Sequence, residues 1–464
     1  MEQSTGIEQA LAKAKRIHFI GIGGSGMCPL VEILHGEGYA ITGSDNNESE
    51  TLSRIRALGI DARLGQRAEN IAGAELIIYT AAVLADNPEL AAAKASGVPT
   101  YERNALLGAL TRRYANCVCV CGTHGKTTTT AMLTQIMHTA GLKPTAVIGG
   151  KLPLTGTNGI TGCGEHMVVE ACEFQDHFLQ LSPDVAVILN VDEDHMEYFK
   201  TLDKLVASFR AFASMATKTV IYNGDDANTR EALEGVNGGK KHITFGRSQG
   251  NIFRAVNVRM RGAFASYNLH YHGELLTRIN LRVPGVHNVS NSLAAIAAAM
   301  CSGASVLDCE KGIETFRGAG RRFEILGQYH GITLADDYAH HPKELEAALT
   351  AARQMNFRKV WAVFQPFTFS RTALLMDEFA RVLAIADEVV LTRIMGSREV
   401  NTYGVTAAQL AEKLPGSACF EEFEEAAGYV VAQAQPGDLV ITLGCGDIYK
   451  AGKMMIEKWA PAAG

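Results

Sequence analysis

Short apolar runs rich in β-branched residues recur along the whole chain, each followed by a stretch with helical spacing, and this alternation limits the fold more than any other feature. The runs are RIHFIGI, YAITGSD, AELIIYTAA, CVCVCG, HMVVEA, DVAVILNV, TVIYNG, GITLADD, KVWAVFQ, DEVVLT and DLVITLG. Continuous runs separated by helices are what parallel strands buried on both faces require, so the expected fold class is α/β. At 464 residues the chain is too long for a single core and long enough for three domains. We place their boundaries at 1–105, 106–322 and 323–464. Residues 230 to 285 change texture to alternating polar and apolar residues, which reads as antiparallel strands decorating the middle domain.

Composition excludes several classes of function. Hydrophobic residues make up 47% and charged residues 20%, so the chain is expected to fold throughout. A formal charge of -6 gives no electrostatic case for nucleic acid or an anionic membrane as partner. Any anionic ligand must then be captured locally. The start MEQSTGIEQALAKAKR has no apolar signal core, and no eighteen apolar residues run together, so a cytoplasmic protein is expected. Cys117, Cys119 and Cys121 alternate along one strand, which places them on one face; without a second ligand pair they read as buried strand residues rather than a metal site.

Two glycine loops carry the chemistry. In RIHFIGIGGSGMCPL an apolar strand enters Gly21-x-Gly23-x-x-Gly26, the form of a dinucleotide-binding turn. Such a motif alone is weak evidence, and it marks a nucleotide without implying hydride transfer. In VCGTHGKTTTT a strand ends at Gly122, and a helix follows with Leu133, Ile136, Met137 and Ala140 at i, i+3, i+4, i+7 before Gly141 and Pro144. Strand, glycine loop and helix start together form a phosphate cradle of Gly122, Thr123, His124, Gly125, Lys126, Thr127 and Thr128. Lys126 is expected on the β- and γ-phosphates and the Thr127 hydroxyl on Mg²⁺. The strict pattern wants a further glycine where Val120 stands.

Further candidates stand at strand ends, where ligands of α/β proteins bind. Glu170 closes HMVVEA; Asp192, Asp194 and His195 follow DVAVILNV. In GVHNVSN, Asn288 and Asn291 stand one turn apart at a helix start, suited to an adenine edge or to simple capping. LADDYAHHP ends a strand at Asp336 and Asp337, clusters Tyr338, His340 and His341, and starts a helix at Pro342. Arg371, in FQPFTFSRT, is placed to clamp a carboxylate or phosphate.

Taken in order, GIGGSGM, GTHGKTTTT, GVHNVSN, the RRFE segment, DDYAHHP, FSRT and GCGDIY resemble the Mur ligases over the whole chain, including the shortened second loop. The resemblance implies three domains, Rossmann-like first and last domains around a central P-loop domain, and an ATP-dependent ligation of L-alanine to UDP-N-acetylmuramate, with Mg²⁺, or alternatively Mn²⁺, as the metal. It implies that Gly23, Ser25, Gly26 and Met27 line the UDP pyrophosphate and that Asp45 lies near the uridine. It also implies that Thr127, Glu170 and His195 hold the metal, and that Asn288, Asn291, Arg321 and Asp337 meet the nucleotide. Tyr338, His340 and Arg371 would receive L-alanine, and either His195 or His340 would take the amine proton. Catalytic weight falls on Lys126, His195, His340 and Arg371. A monomer or weak homo-oligomer is expected, without nucleic-acid or membrane partners. The same resemblance leaves a tripeptide-adding relative as the rival. Two positions depart from the family's usual pattern: Cys172 and Phe174 stand in an otherwise polar run, and Phe367-Thr368 where some relatives have His-Arg.

Overall fold

A computed structural model describes residues 2–397 and 399–460. Its strands form three sheets. The first comprises β1 (Arg16–Ile20), β2 (Ala40–Asp45), β3 (Asp61–Leu64), β4 (Leu76–Tyr79) and β5 (Thr100–Glu102), in the order β3-β2-β1-β4-β5. All four pairings are parallel. The order reverses between β1 and β4, and the first glycine loop leaves β1 at that reversal, where α/β sheets open a crevice.

The central sheet is built from β6 (Asn116–Cys121), β7 (Thr145–Leu152), β8 (Thr157–Ile160), β9 (His166–Glu170), β10 (Val185–Ile188), β11 (Thr219–Asn223), β12 (Lys241–Gly246), β13 (Phe253–Arg261), β14 (Phe264–Tyr271) and β15 (Glu274–Pro284). Its order is β15-β14-β13-β12-β11-β10-β6-β9-β7-β8. Strand β6 lies between β10 and β9, parallel to both, so the second loop leaves the middle of the sheet. The sheet is mixed, since β7 and β8 are antiparallel. One expectation is corrected here: β12, inside the segment read as antiparallel, pairs parallel with both β11 and β13. Alternating polarity reports a half-buried strand, not its direction, because antiparallel pairing and one-sided burial only usually coincide.

The third sheet comprises β16 (Glu324–Tyr329), β17 (Ile332–Asp337), β18 (Val360–Phe364), β19 (Glu388–Thr392), β20 (Ala418–Phe420) and β21 (Leu439–Leu443), in the order β16-β17-β21-β18-β19-β20. Only the edge pair β16–β17 is antiparallel.

These sheets fall into two compact units. One takes residues up to Val256 with Asn268–Ile279 and Ser290–Thr315; the other takes Asn257–Tyr267, Asn280–Val289 and the chain from Phe316. Within the first unit a single apolar cluster joins Ile17 and Phe19 of β1, Leu106 and Leu110 of the helix Arg103–Thr111, and Cys117, Cys119 and Cys121 of β6. That helix carries the chain from the first sheet to the second, and position 105 lies inside it. The three cysteines are fully buried, as expected for a strand face in a core. Among the described residues no helix is long and apolar enough to cross a membrane.

Candidate functional site

The first loop is held by the end of β2 and by its own backbone. Gly21 and Ile22 donate their N–H groups to the Ser44 carbonyl at the end of β2, at 2.8 and 2.9 Å, and Met27 donates to Gly24 at 2.9 Å. Gly21 has φ +82°, a conformation that glycine adopts without penalty. Asp45 accepts the Gly23 N–H at 2.9 Å, so the acid expected near a ligand's far end braces the loop itself. Ser25 is exposed, whereas Met27 turns its side chain into the core at 1% exposure. Beneath the loop lies a polar network that motif reading does not reveal. Glu89, wholly buried, accepts from Ser44 Oγ at 2.8 Å, from Asn70 at 3.0 Å and from the Arg67 N–H at 2.9 Å, and meets His18 Nε2 at 2.6 Å. Burial pushes its carboxyl up, but these hydrogen bonds outweigh it and leave the group below its ordinary range. The network fixes the end of β2, and with it the carbonyl that holds the loop.

The second loop is braced from outside. Asn190, just beyond β10, accepts the His124 N–H at 2.8 Å and donates to the His124 carbonyl at 3.0 Å. Thr123 donates its hydroxyl to the Asp192 carbonyl at 3.2 Å and accepts the Asp192 N–H at 2.9 Å. Gly125 precedes the helix Lys126–Thr139 with φ +85°, and a Cβ there would meet Asn291 Oδ1 at 2.4 Å. Asn291 thus packs on the loop, and at 6% exposure it is more buried than a surface cap requires. Thr128 is half-buried in the helix's first turn.

Charge gathers where the loop meets the helix. Lys126 Nζ donates to the Gly122 carbonyl at 2.6 Å, to the Thr123 carbonyl at 3.0 Å and to Glu173 at 3.0 Å. Burial alone would depress its ammonium, but the Glu173 carboxylate reverses this and raises it above its ordinary value, so it stays charged. Beside it Thr127 Oγ1 donates to Glu170 at 2.9 Å, and Glu170 also accepts the Gly149 N–H at 2.6 Å. A hydroxyl and a carboxylate in contact are hard oxygen donors of the kind Mg²⁺ takes, and Mg²⁺ usually completes its shell with waters and substrate phosphates. These residues fit that ion as a partial shell. Among the described residues no group of three or more His, Cys, Asp and Glu could hold a metal. His195 stands at the start of the helix Met196–Phe199 with φ +55°, its backbone N–H on Asp194 at 2.8 Å and its ring 4.8 Å from that of Phe174.

The C-terminal candidates form their own cluster. Arg321 donates from Nε to Asp336 at 2.7 Å and from its two terminal nitrogens to the Gly446 and Gly444 carbonyls at 3.2 and 2.6 Å. It therefore ties the GCGDIY segment to β17. Asp337 accepts the N–H groups of Phe323 and Ala339, each at 2.7 Å, and burial pushes its carboxyl up to about 6. The guanidinium groups of Arg321 and Arg322 each lie 5.0 Å from the Tyr338 ring, and burial pushes the Tyr338 phenol up to about 12. His340 lies 5.7 Å from Tyr338 and 6.2 Å from Phe367, ring to ring, with Nδ1 3.2 Å from Glu344. His341 is the cap of the helix Pro342–Arg353, accepting the Lys343 N–H at 3.4 Å. Arg371 sits half-buried in the helix Phe369–Leu374, and its charge offsets the burial that pushes the Cys445 thiol up to about 12. Asn288 donates to the Pro284 carbonyl at 2.7 Å.

The geometry brings Lys126, Thr127 and Glu170 into one neighbourhood, and separately Tyr338, His340 and Phe367. Asn190 and Glu89 were not singled out, and Glu173 was noted only as an acid of the run after Glu170, without a role. For Glu173 the signal was its place three residues after Glu170; Glu89 and Asn190 act through long-range contacts.

The sheets and loops define an α/β protein with two strand–glycine loop–helix units of the kind that cradle phosphates. Three stretches match family profiles: residues 16–115 the Mur ligase family catalytic domain, 120–299 the Mur ligase middle domain, and 321–446 the Mur ligase glutamate ligase domain. The chain is 42% identical to a UDP-N-acetylmuramate–L-alanine ligase of Acetivibrio thermocellus, over 96% of each protein. It is 39% identical to that of Caldanaerobacter subterraneus subsp. tengcongensis, over 97% of this chain and 99% of that one. The solved UDP-N-acetylmuramate-alanine ligase of Thermotoga maritima superposes with a TM-score of 0.83 at 28% identity, over 96% of this chain and 99% of that one. A murein peptide ligase of Psychrobacter arcticus shares the fold, with a TM-score of 0.77 at 21% identity over 97% of this chain and 100% of that one. This chain belongs to the Mur ligase family.

Proposed function

We propose that this protein joins the amine of L-alanine to the lactyl carboxylate of UDP-N-acetylmuramate at the expense of ATP, giving ADP and phosphate. What carries the reading is the pairing of two strand–loop–helix cradles in one compact unit, the second equipped with Lys126 on Glu173 and Thr127 on Glu170. The choice of L-alanine, rather than a tripeptide, is supported by the names of the full-length relatives. On this reading residues 1–105 hold the sugar nucleotide, 106–322 hold ATP, and 323–464 hold the amino acid.

An amine cannot displace oxide from a carboxylate, so the carboxylate first attacks the γ-phosphorus of ATP and forms an acyl phosphate. Both groups are anionic. Lys126 therefore leaves Glu173 and the loop carbonyls to meet the transferring phosphoryl group, and the helix start and loop amides hold the phosphates in line. A Mg²⁺ ion, or Mn²⁺, held by Thr127 and Glu170 with a contribution from His195, would neutralise phosphate charge. Arg371 fixes the carboxylate of L-alanine, with Tyr338 and His340 against its other side. The neutral amine then attacks the acyl carbon, and phosphate leaves. His195 and His340 are the two groups able to take the amine proton, and the pH–rate profiles of their alanine variants distinguish them.

The test is phosphate release with UDP-N-acetylmuramate, ATP and one amine donor at a time. L-Alanine should sustain turnover and the tripeptide should not; the reverse result would move the protein to the recycling reaction. Arg371→Ala should raise the KM for L-alanine by the equivalent of roughly 1.5 to 3 kcal/mol while leaving the KM for ATP nearly unchanged. Equal effects on both would remove Arg371 from the amino-acid pocket.

A further inference from the structure

Arg103 begins the helix Arg103–Thr111, directly after β5. A cation at that end opposes the helix dipole, so its position does not serve the helix. Its Nη2 donates to Asn104 Oδ1 at 2.6 Å, and Asn104 donates in turn to Glu102 at 3.1 Å. Among the described residues no carboxylate forms an ion pair with Arg103. Its guanidinium is nevertheless partly withdrawn from water, and burial holds it below its ordinary value. Glu102 acts on the guanidinium only through space, without a hydrogen bond, and burial outweighs that attraction, so the cation stands to gain from an anion that meets it directly.

The surroundings say where that anion comes from. A Cβ placed on Gly26 would lie 3.3 Å from Arg103 Nη1 and 3.6 Å from its Cζ, so the guanidinium lies against the first glycine loop. On another side Arg103 lines a pocket with Asn104, His177, Cys172 and Glu170, and Glu170 is the partner of Thr127 on the second loop. One guanidinium thus touches both the pyrophosphate cradle and the pocket leading to the phosphoryl-transfer site, all within the first compact unit.

We propose that Arg103 is a binding residue for the sugar nucleotide, receiving an anionic group that its substrate carries between the two loops: the sugar-side phosphate or the lactyl carboxylate. This rests on the reaction proposed above. A planar guanidinium meets either oxyanion through two parallel hydrogen bonds, which a lysine cannot reproduce. Arg103 would thereby fix the point from which the sugar reaches toward Glu170 and Lys126.

The test compares wild type with Arg103→Lys and Asn104→Asp, the second placing a competing carboxylate on the intact arginine. Binding of UDP-N-acetylmuramate, UDP-N-acetylglucosamine and UDP is measured by calorimetry, and folding by thermal melting. Both variants should bind UDP-N-acetylmuramate about 10- to 100-fold more weakly with the KM for ATP unchanged. Loss confined to UDP-N-acetylmuramate assigns the lactyl carboxylate, which UDP-N-acetylglucosamine lacks; equal loss for all three assigns the phosphate. If wild type turns over and both folded variants bind all three ligands as wild type does, Arg103 has no such role. If wild type itself fails to turn over with any amine donor, the proposed reaction fails instead, and the binding data still decide whether Arg103 holds the nucleotide.

Discussion

The two glycine loops follow the same local plan, an apolar strand opening onto a helix through glycines, yet they are held differently. In the first, backbone carbonyls and Asp45 take up the amides of Gly21, Ile22, Gly23 and Met27, and no lysine stands at the helix start. In the second, Asn190 and Asp192 brace the loop from a neighbouring strand end, and a lysine and two glutamates stand at the junction. The difference follows the chemistry. On the proposed function, a pyrophosphate that only has to be held needs a rigid loop at a helix start and little else. A phosphoryl group that has to move needs a cation able to follow it and oxygen donors able to share a metal.

The largest effect expected from that contrast is on rate. Lys126→Ala should lower kcat for phosphate release by about 10²- to 10³-fold while sugar-nucleotide affinity holds, and turnover near the wild-type level would show that the second loop only binds. Next comes Gly125→Ala, which forces a side chain into φ +85° and against Asn291. It should cost about 2 to 4 kcal/mol in urea unfolding. Asp45→Ala should raise the KM for the sugar nucleotide about tenfold without changing that for ATP, through loss of a charge-assisted contact to Gly23. A change in ATP affinity would mean the loops do not act separately. Smallest of all is Gly26→Ala, where φ is ordinary and the neighbour is the flexible end of Arg103, so the cost in the same unfolding measurement should stay below about 1 kcal/mol.

Both loops and the central strands of all three sheets were legible in sequence because each is local: an apolar run, a glycine, a helical period. Strands β3, β5, β8, β16 and β20 were not, and each stands at a sheet edge; β7 and β12 were also missed, lying inside the central sheet but with glycine or polar residues interrupting any apolar run. Edge strands bury one face at most, so the pattern that betrays a central strand is missing. The bracing residues were hidden for another reason. Asn190 serves His124 from 66 positions away and Glu89 serves Ser44 from 45, and neither separation follows a strand or helix period. Arg103 was not singled out in the sequence, and only its place between the first loop and the Glu170 pocket in the folded chain sets it apart.

The cluster that joins β1, the helix Arg103–Thr111 and β6 has a consequence for specificity. Because one oily interior underlies both anion seats, the gap between them is set when the chain folds and not when a ligand arrives. On the proposed function the protein would work as a gauge: a molecule with its diphosphate on the first seat would present its acid to the second only if its sugar has the right span, and shorter or longer analogues should dock without reacting.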